Sequence, residues 1–150
     1  MRLAKQVLVL LFRIIDDNIQ YCVFKRKDRK IWQFVAGGSE DFDIDILDSA
    51  KRELFEETGI LNNYLFYELE EYIKIPVVNI SKDFIFGEDV YFVEEFAFAV
   101  NVLNNDISLS LEHDEYSWVS YDEAYDILRY DSNKSALWEL NEKIKRGIIK

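Results

Sequence analysis

Residues 52–60 read Arg-Glu-Leu-Phe-Glu-Glu-Thr-Gly-Ile, three carboxylates and an arginine packed into six positions and closed by a glycine. Apolar residues upstream recur at helical spacing. Advancing about 100° per residue puts Glu53, Glu56 and Glu57 on one arc, while Leu47, Ala50 and Leu54 fall on the opposite side. One face of such a helix must pack, and the other carries concentrated negative charge. Like charges three and four residues apart cost a helix roughly 0.2–0.5 kcal/mol per pair. A hard divalent cation removes that penalty, because Mg²⁺ takes oxygen ligands, keeps several waters and bridges one or two carboxylates to a phosphate. Arg52 beside the acids can orient a carboxylate or offset phosphate charge. A solvated acidic face accounts for the same arc.

The wider spacing separates these readings. Gly38, Arg52-Glu53, Leu54, Glu56-Glu57, Gly59 and Ile60 resemble the Nudix box, G-x5-E-x7-R-E-U-x-E-E-x-G-U with U aliphatic. One position departs from it. Where the pattern has its first glutamate this chain has Ile44, flanked by Asp43 and Asp45. Either Asp43 takes that place in a loop one residue longer, or the position is lost.

With 150 residues, 49% of them hydrophobic and 15% aromatic, the chain can bury a substantial core, and residues 1–150 are expected to form one domain. Its net charge of −11 argues against a general nucleic-acid or anionic-membrane binder. A phosphorylated substrate must therefore be met by local cations. The one cysteine, Cys22, excludes an internal disulfide and fits a reducing, cytoplasmic setting. The apolar run Val7 to Phe12 is too short to span a bilayer and reads as a buried strand.

Taken in order, a strand from Val7 to Ile15 and a second from Ile19 to Phe24 flank the turn Asp16-Asp17-Asn18. Lys25 to Lys30 is the dense basic patch, read either as a solvated loop or as a phosphate clamp in which Arg26, nearest the strand end, is held best. Trp32 and Gln33 precede Gly37-Gly38. The two glycines let backbone approach a ligand, and a carbonyl there can serve a metal. Asp45 is a candidate N-cap with Asp48 in capping-box position, so the central helix is predicted from Ile46 to Thr58, stopped by Gly59. Tyr64 to Ile75 reads as a strand ended by Pro76, and Val77 to Gly87 as a segment that could cover a pocket. Within the strand-like run Asp89 to Leu103, Glu94 and Glu95 face opposite sides, so only one could point inward, and the pair is read as solvent-facing. Glu112 to Glu115 precede a short strand, where a loop acid could reach the helix carboxylates. His113, the lone histidine, reads as structural or surface rather than as a general base. Ser120-Tyr121-Asp122-Glu123 is a capping box opening a helix to about Tyr130. A last helix, Lys134 to Lys145, follows Asp131-Ser132-Asn133, with Ala136, Leu137, Leu140 and Ile144 as its apolar stripe.

This order of elements resembles a Nudix hydrolase over the whole chain, which implies an α/β (α+β) fold: an α/β/α sandwich around a mixed sheet, with the box as a loop-helix-loop over the site. Trp32-Gln33, Glu112-His113 before Trp118, and Ser132-Asn133-Lys134 look like the bacterial dihydroneopterin triphosphate and dATP pyrophosphohydrolase group. Carried over, the resemblance implies that Glu53 and Glu57 bind Mg²⁺, for which Mn²⁺ could substitute, and that Glu56 is a further ligand or the base. Arg52 would orient a glutamate, Gly38 would sit at the loop-metal boundary, and Glu112 would complete the site as metal ligand and catalytic acid. Arg26, Trp32 and Gln33 would meet the substrate. The expected reaction is metal-assisted attack of water on a phosphorus of a small phosphorylated substrate, with no nucleic-acid or membrane partner and with monomer and homodimer both open. A sugar- or dinucleoside-polyphosphate hydrolase, or a binding module in which Ile44 marks lost catalysis, are the other readings.

Overall fold

The computed structural model describes residues 1–61 and 63–150. Strand β1, Arg2–Ile15, is the axis of the fold. Its central run from Val7 to Phe12 is buried on both faces, which is why it reads as continuous rather than alternating hydrophobicity. The alternation is nonetheless present in where the side chains go. Leu8, Leu10 and Phe12 enter one core, and Val7, Val9 and Leu11 enter the other.

A two-residue turn links β1 to β2, Asn18–Arg26. Asp16 and Asp17 take φ of 50° and 67°, the left-handed geometry that matches strand twist in tight hairpins, with Ile15 paired to Asn18. Asn18 thus belongs to the strand rather than to the turn. Strands β3, Trp32–Gln33, and β4, Val35–Glu40, run on from each other, β3 pairing with β2 and β4 with the first half of β1. Beyond them lie β5, Phe66–Pro76, β6, Phe92–Asn101, and β7, His113–Val119. The sheet is mixed because β6 runs parallel to β1, whereas the other pairings are antiparallel.

Helix α1, Ile46–Thr58, covers one face with Ala50 and Leu54, packing on Val7, Val9, Cys22 and Phe98. Both ends match the sequence. The Asp45 carboxylate accepts from the Asp48 N–H at 2.8 Å, and Gly59, at φ 73°, donates its N–H to the Phe55 carbonyl. The reciprocal capping bond shifts by one residue, since Asp48 accepts from Ile44 N–H rather than from Asp45. Helices α2, Tyr121–Ile127, and α3, Asp131–Lys145, cover the other face through Ala124, Ala136, Leu137 and Leu140. The expected α/β/α layering is therefore present.

Two boundaries differ from expectation with consequences for the site. The capping box at Ser120 and Glu123 forms as expected, but α2 stops at Ile127 because Leu128 turns extended to bridge with Trp32. Helix α3 begins three residues early, so that Asp131, Ser132 and Asn133 are its first turn rather than a loop. No helix among the described residues is long and apolar enough to cross a membrane.

Candidate active site

A cleft of about 750 Å³ opens between α1, the β4 end of the sheet and the start of α3. Its acidic wall is the arc of α1. Glu53 and Glu57 are only 7% and 5% exposed, so the helix does not carry an exposed acidic stripe: these two carboxylates form the cleft's buried floor, while the Glu56 side chain stays half exposed above them. Gly37 makes this possible. A Cβ there would lie 2.0 Å from the Glu53 carboxyl carbon, so only glycine lets the strand pass over that side chain.

Arg52 organises the loop around these acids. Its Nε and Nη2 donate to Asp43 at 3.0 and 2.9 Å, Nη2 also donates to the Gly38 carbonyl at 2.8 Å, and Nη1 reaches Glu53 and Glu56 at 3.1 and 3.2 Å. Asp43 further accepts from the Glu40 N–H and the Ser49 hydroxyl. Ile44 is 90% exposed. Thus Asp43, one residue before the pattern's glutamate, supports Arg52, and the arginine holds its carboxyl well below the usual range. The Gly38 carbonyl accepts from the Arg52 guanidinium, so Gly38 anchors Arg52 at the edge of the site.

Glu57 is held by side chains from the loop before β7 and from its first residue. Ser110 Oγ donates to Glu57 Oε2 at 2.6 Å, and His113 Nδ1 lies 2.9 Å from the same oxygen with its side chain 1% exposed. His113 does not line the cleft, in agreement with a structural role: it stands behind Glu57, against the Phe24 ring. Glu112 enters the cleft beside Glu57.

The carboxylates are short of counter-charge. Burial first, then the charge of Glu56, push Glu53 up to about 7, with Arg52 opposing and Glu57 adding to the rise. Burial and then the Glu57 charge also raise Glu112. For Glu57, burial acts upward but the His113 and Ser110 contacts outweigh it and leave the group lowered. An all-oxygen donor set with too little positive charge fits a hard divalent cation. Among the described residues no three such side chains converge closely enough to enclose an ion alone.

Arg26 and Arg29 line the same cleft, Arg26 beside Glu112. Arg26 makes a two-pronged contact with Asp28 at 2.9 and 2.8 Å, and Arg29 donates to the Tyr130 hydroxyl. Lys25 and Lys30 pair with Glu115 and Asp114, so the basic patch is divided: two arginines serve the cleft and two lysines tie it to β7. Glu115 does not line the cleft. Gln33 lines the cleft, but Trp32 does not. Adjacent strand residues face opposite ways, and Trp32 packs against the core under α2 and α3, so its expected substrate contact is corrected. Asn79 and Ile80 do line the cleft, placing part of the segment after β5 over it.

Sequence reasoning missed Gln6, Glu95 and Arg2, which line the same cleft. The solvent-facing reading of Glu95 is overturned: it is 5% exposed and accepts from Gln6 Nε2 at 2.5 Å.

Fold and site together define a hydrolase-like α/β domain whose cleft combines a buried acidic helix with two arginines. The chain belongs to the NUDIX family: the NUDIX domain model matches residues 4–139. It is a Nudix hydrolase, acting on a pyrophosphate-containing substrate. A protein from Listeria monocytogenes str. 4b F2365, described as a NUDIX hydrolase, is 41% identical over 97% of both chains, with a TM-score of 0.86. The E. coli dihydroneopterin triphosphate pyrophosphohydrolase is 20% identical, covering 93% of this chain and 97% of its own, at 0.76. A C. elegans Ap4A hydrolase is 18% identical, covering 95% and 98%, at 0.75. The last two likenesses show the fold alone. Comparison with curated proteins gives no match.

Proposed function

We propose that residues 1–150 form one Mg²⁺-dependent pyrophosphohydrolase domain, working in the cytoplasm, that cleaves a nucleoside-triphosphate-like substrate to monophosphate and pyrophosphate. Dihydroneopterin triphosphate and dNTPs such as dATP are the substrates in view. The observation that carries this reading is the cleft itself, where Glu53, Glu56, Glu57 and Glu112 share a space of nucleotide size with Arg26 and Arg29, Arg26 standing beside Glu112.

Glu53 and Glu57 would hold the cation, with Glu56 and Glu112 beside it. When bound, Mg²⁺ neutralises phosphoryl charge and acidifies the attacking water. Arg52 fixes the Glu53 carboxylate, and the Ser110 hydroxyl fixes that of Glu57 with His113 packed behind it, so both acids keep their orientation as substrate arrives. Arg26 and Arg29 would bind the phosphate chain, exchanging Asp28 and Tyr130 for phosphate oxygens. Glu112 or Glu56, each at the cleft and less buried than Glu53, takes the proton of the water. Little covalent work falls to the protein, so positioning and charge stabilisation dominate.

The test is Mg²⁺-dependent product formation from dihydroneopterin triphosphate, the dNTPs, ADP-ribose and a diadenosine polyphosphate, with Glu57→Gln alongside. Pyrophosphate and a monophosphate from a triphosphate, lost by orders of magnitude in the variant, are expected. Products from ADP-ribose or the diadenosine compound alone would assign a different substrate class. No turnover with retained Mg²⁺ binding would make the protein a binding module.

A further inference from the structure

Across the sheet from the helix carboxylates, the cleft holds a buried acid that is only half satisfied. Gly38, Gln6, Glu95 and Ile73 stand abreast on β4, β1, β6 and β5, and all four line the cleft. Glu95 therefore lies two strands from Gly38, about 10 Å away at ordinary strand spacing. Its Oε2 accepts from Gln6 Nε2, and Gln6 Oε1 in turn accepts from Arg2 Nη2 at 3.5 Å. A charged neighbour on each side sets which way the Gln6 amide points. Glu95 Oε1, in contrast, is buried and makes no hydrogen bond among the described residues, although the Ser132 hydroxyl stands near the carboxyl group. Leaving a buried carboxyl oxygen unpaired is costly, and such groups in a ligand cleft are explained by what the ligand supplies.

The chemistry of that ligand group follows from its surroundings. A carboxyl oxygen repels phosphate and calls for a donor. Ile73, Ile75, Pro76 and Ile80 give this part of the cleft an apolar wall suited to a flat ring. A substrate held by its phosphates near α1 presents its heterocycle at this distance. We propose that Glu95, oriented by Gln6, selects the heterocycle of the substrate, Oε1 accepting a hydrogen bond from an exocyclic amino group. This rests on the pyrophosphohydrolase reading and deepens it: the substrate class becomes amino-bearing bases or pterins rather than thymine-like ones.

The test compares KM and kcat for dATP, dCTP, dGTP, dTTP and abasic deoxyribose 5-triphosphate in the wild type, Glu95→Gln and Glu95→Ala. The glutamine has the same shape, and circular dichroism checks that each variant folds. A site built to accept from an exocyclic amino group should disfavour a base lacking that group by about tenfold or more. The wild type is expected to prefer the three amino-bearing dNTPs over dTTP by that margin. Both variants should reduce the preference to about threefold or less, through KM, and leave the abasic compound unchanged. An unaltered preference, or an equal loss on all five compounds, would overturn the proposal. Affinities for dATP and dTTP in Ca²⁺ decide the role of Glu95 separately. With no turnover by the wild type the hydrolysis reading falls, while a dATP preference lost in Glu95→Gln still upholds Glu95 and an equal affinity overturns it.

Discussion

Replacing Asp43 should damage the site from outside it, while rewriting Ile44 should do nothing. The Asp43 side chain is 4% exposed, and its two oxygens take two hydrogen bonds from Arg52, one from the Glu40 N–H and one from Ser49. Removing one partner of a buried ion pair costs about 3–5 kcal/mol, because the other charge is left uncompensated. Arg52 keeps Gly38, Glu53 and Glu56, which places Asp43→Ala toward the low end, about 3 kcal/mol. For a chain of this length that is a fall in Tm of roughly 6–12 °C. The guanidinium, released from Asp43, would also pull on Glu53, so a fall of at least about tenfold in kcat is expected, since misplaced catalytic groups lose rate steeply. Ile44→Glu restores the family's spacing on paper, yet position 44 points into solvent and should leave both Tm and kcat unchanged. The pH dependence has a definite sign. Arg52 depresses the folded-state value of Asp43 below its ordinary 3.8, so its contribution is full above pH 3.8 and is lost as pH falls through the folded value. The gap in Tm between wild type and Asp43→Asn should stay constant from about pH 5 to 8 and shrink in acid. Thermal unfolding across pH, paired with a phosphate-release assay, measures all of this. An Asp43→Ala protein as stable and active as the wild type, or an Ile44→Glu protein with changed activity, would refute the assignment of Asp43 as the partner of Arg52.

Gly37→Ala should abolish most turnover with little change in Tm, because the new Cβ meets the movable end of Glu53 and displaces it; normal kcat would show that Glu53 need not sit under the strand. Arg26→Ala should raise KM by about tenfold and Asp28→Asn should lower it a few-fold, since Asp28 competes with substrate for the guanidinium, and steady-state kinetics in which both variants move the same way would contradict the clamp. Leu54→Ala, which empties a fully buried position under α1, should cost about 2–5 kcal/mol in denaturant unfolding.

How much of this was legible in the sequence depended on whether local rules or pairing across the sheet decided the outcome. Helix α1 was readable to the residue because its N-cap, apolar stripe and glycine stop are local signals that all agree. The carboxylate arc was readable for the same reason, although not its burial, which comes from β4 passing over Glu53 at Gly37. Asp43 could be named only beside the alternative that the position was lost, since the sequence of a loop does not say whether a neighbouring side chain turns inward to replace it. Trp32 and Glu95 were misjudged through a common cause. Alternation shows that neighbours on a strand face opposite sides, and it says nothing of which side is the site until the register is known. Here the parallel pairing of β1 with β6 sets Glu95 level with Gln6, across a gap of nearly ninety residues in the chain.

That same pairing separates the two tasks of the cleft. The α1 carboxylates lie on one side of β4 and the Gln6–Glu95 pair on the other, joined by β4 itself, which carries both Gly37 and Gly38. The cation-binding acids are tied to one helix and its Arg52 loop, so their spacing is constrained by the helix itself. Glu95 sits on a strand two places away, and substitutions there leave the helix geometry alone. A fold built this way can change the heterocycle it accepts without disturbing the phosphate chemistry. It follows that Glu95→Gln should alter which triphosphate is preferred while leaving the Mg²⁺ concentration needed for half-maximal rate unchanged. A shift in that Mg²⁺ requirement would mean that the two halves of the cleft are coupled through Gln6 and Arg2 rather than separate.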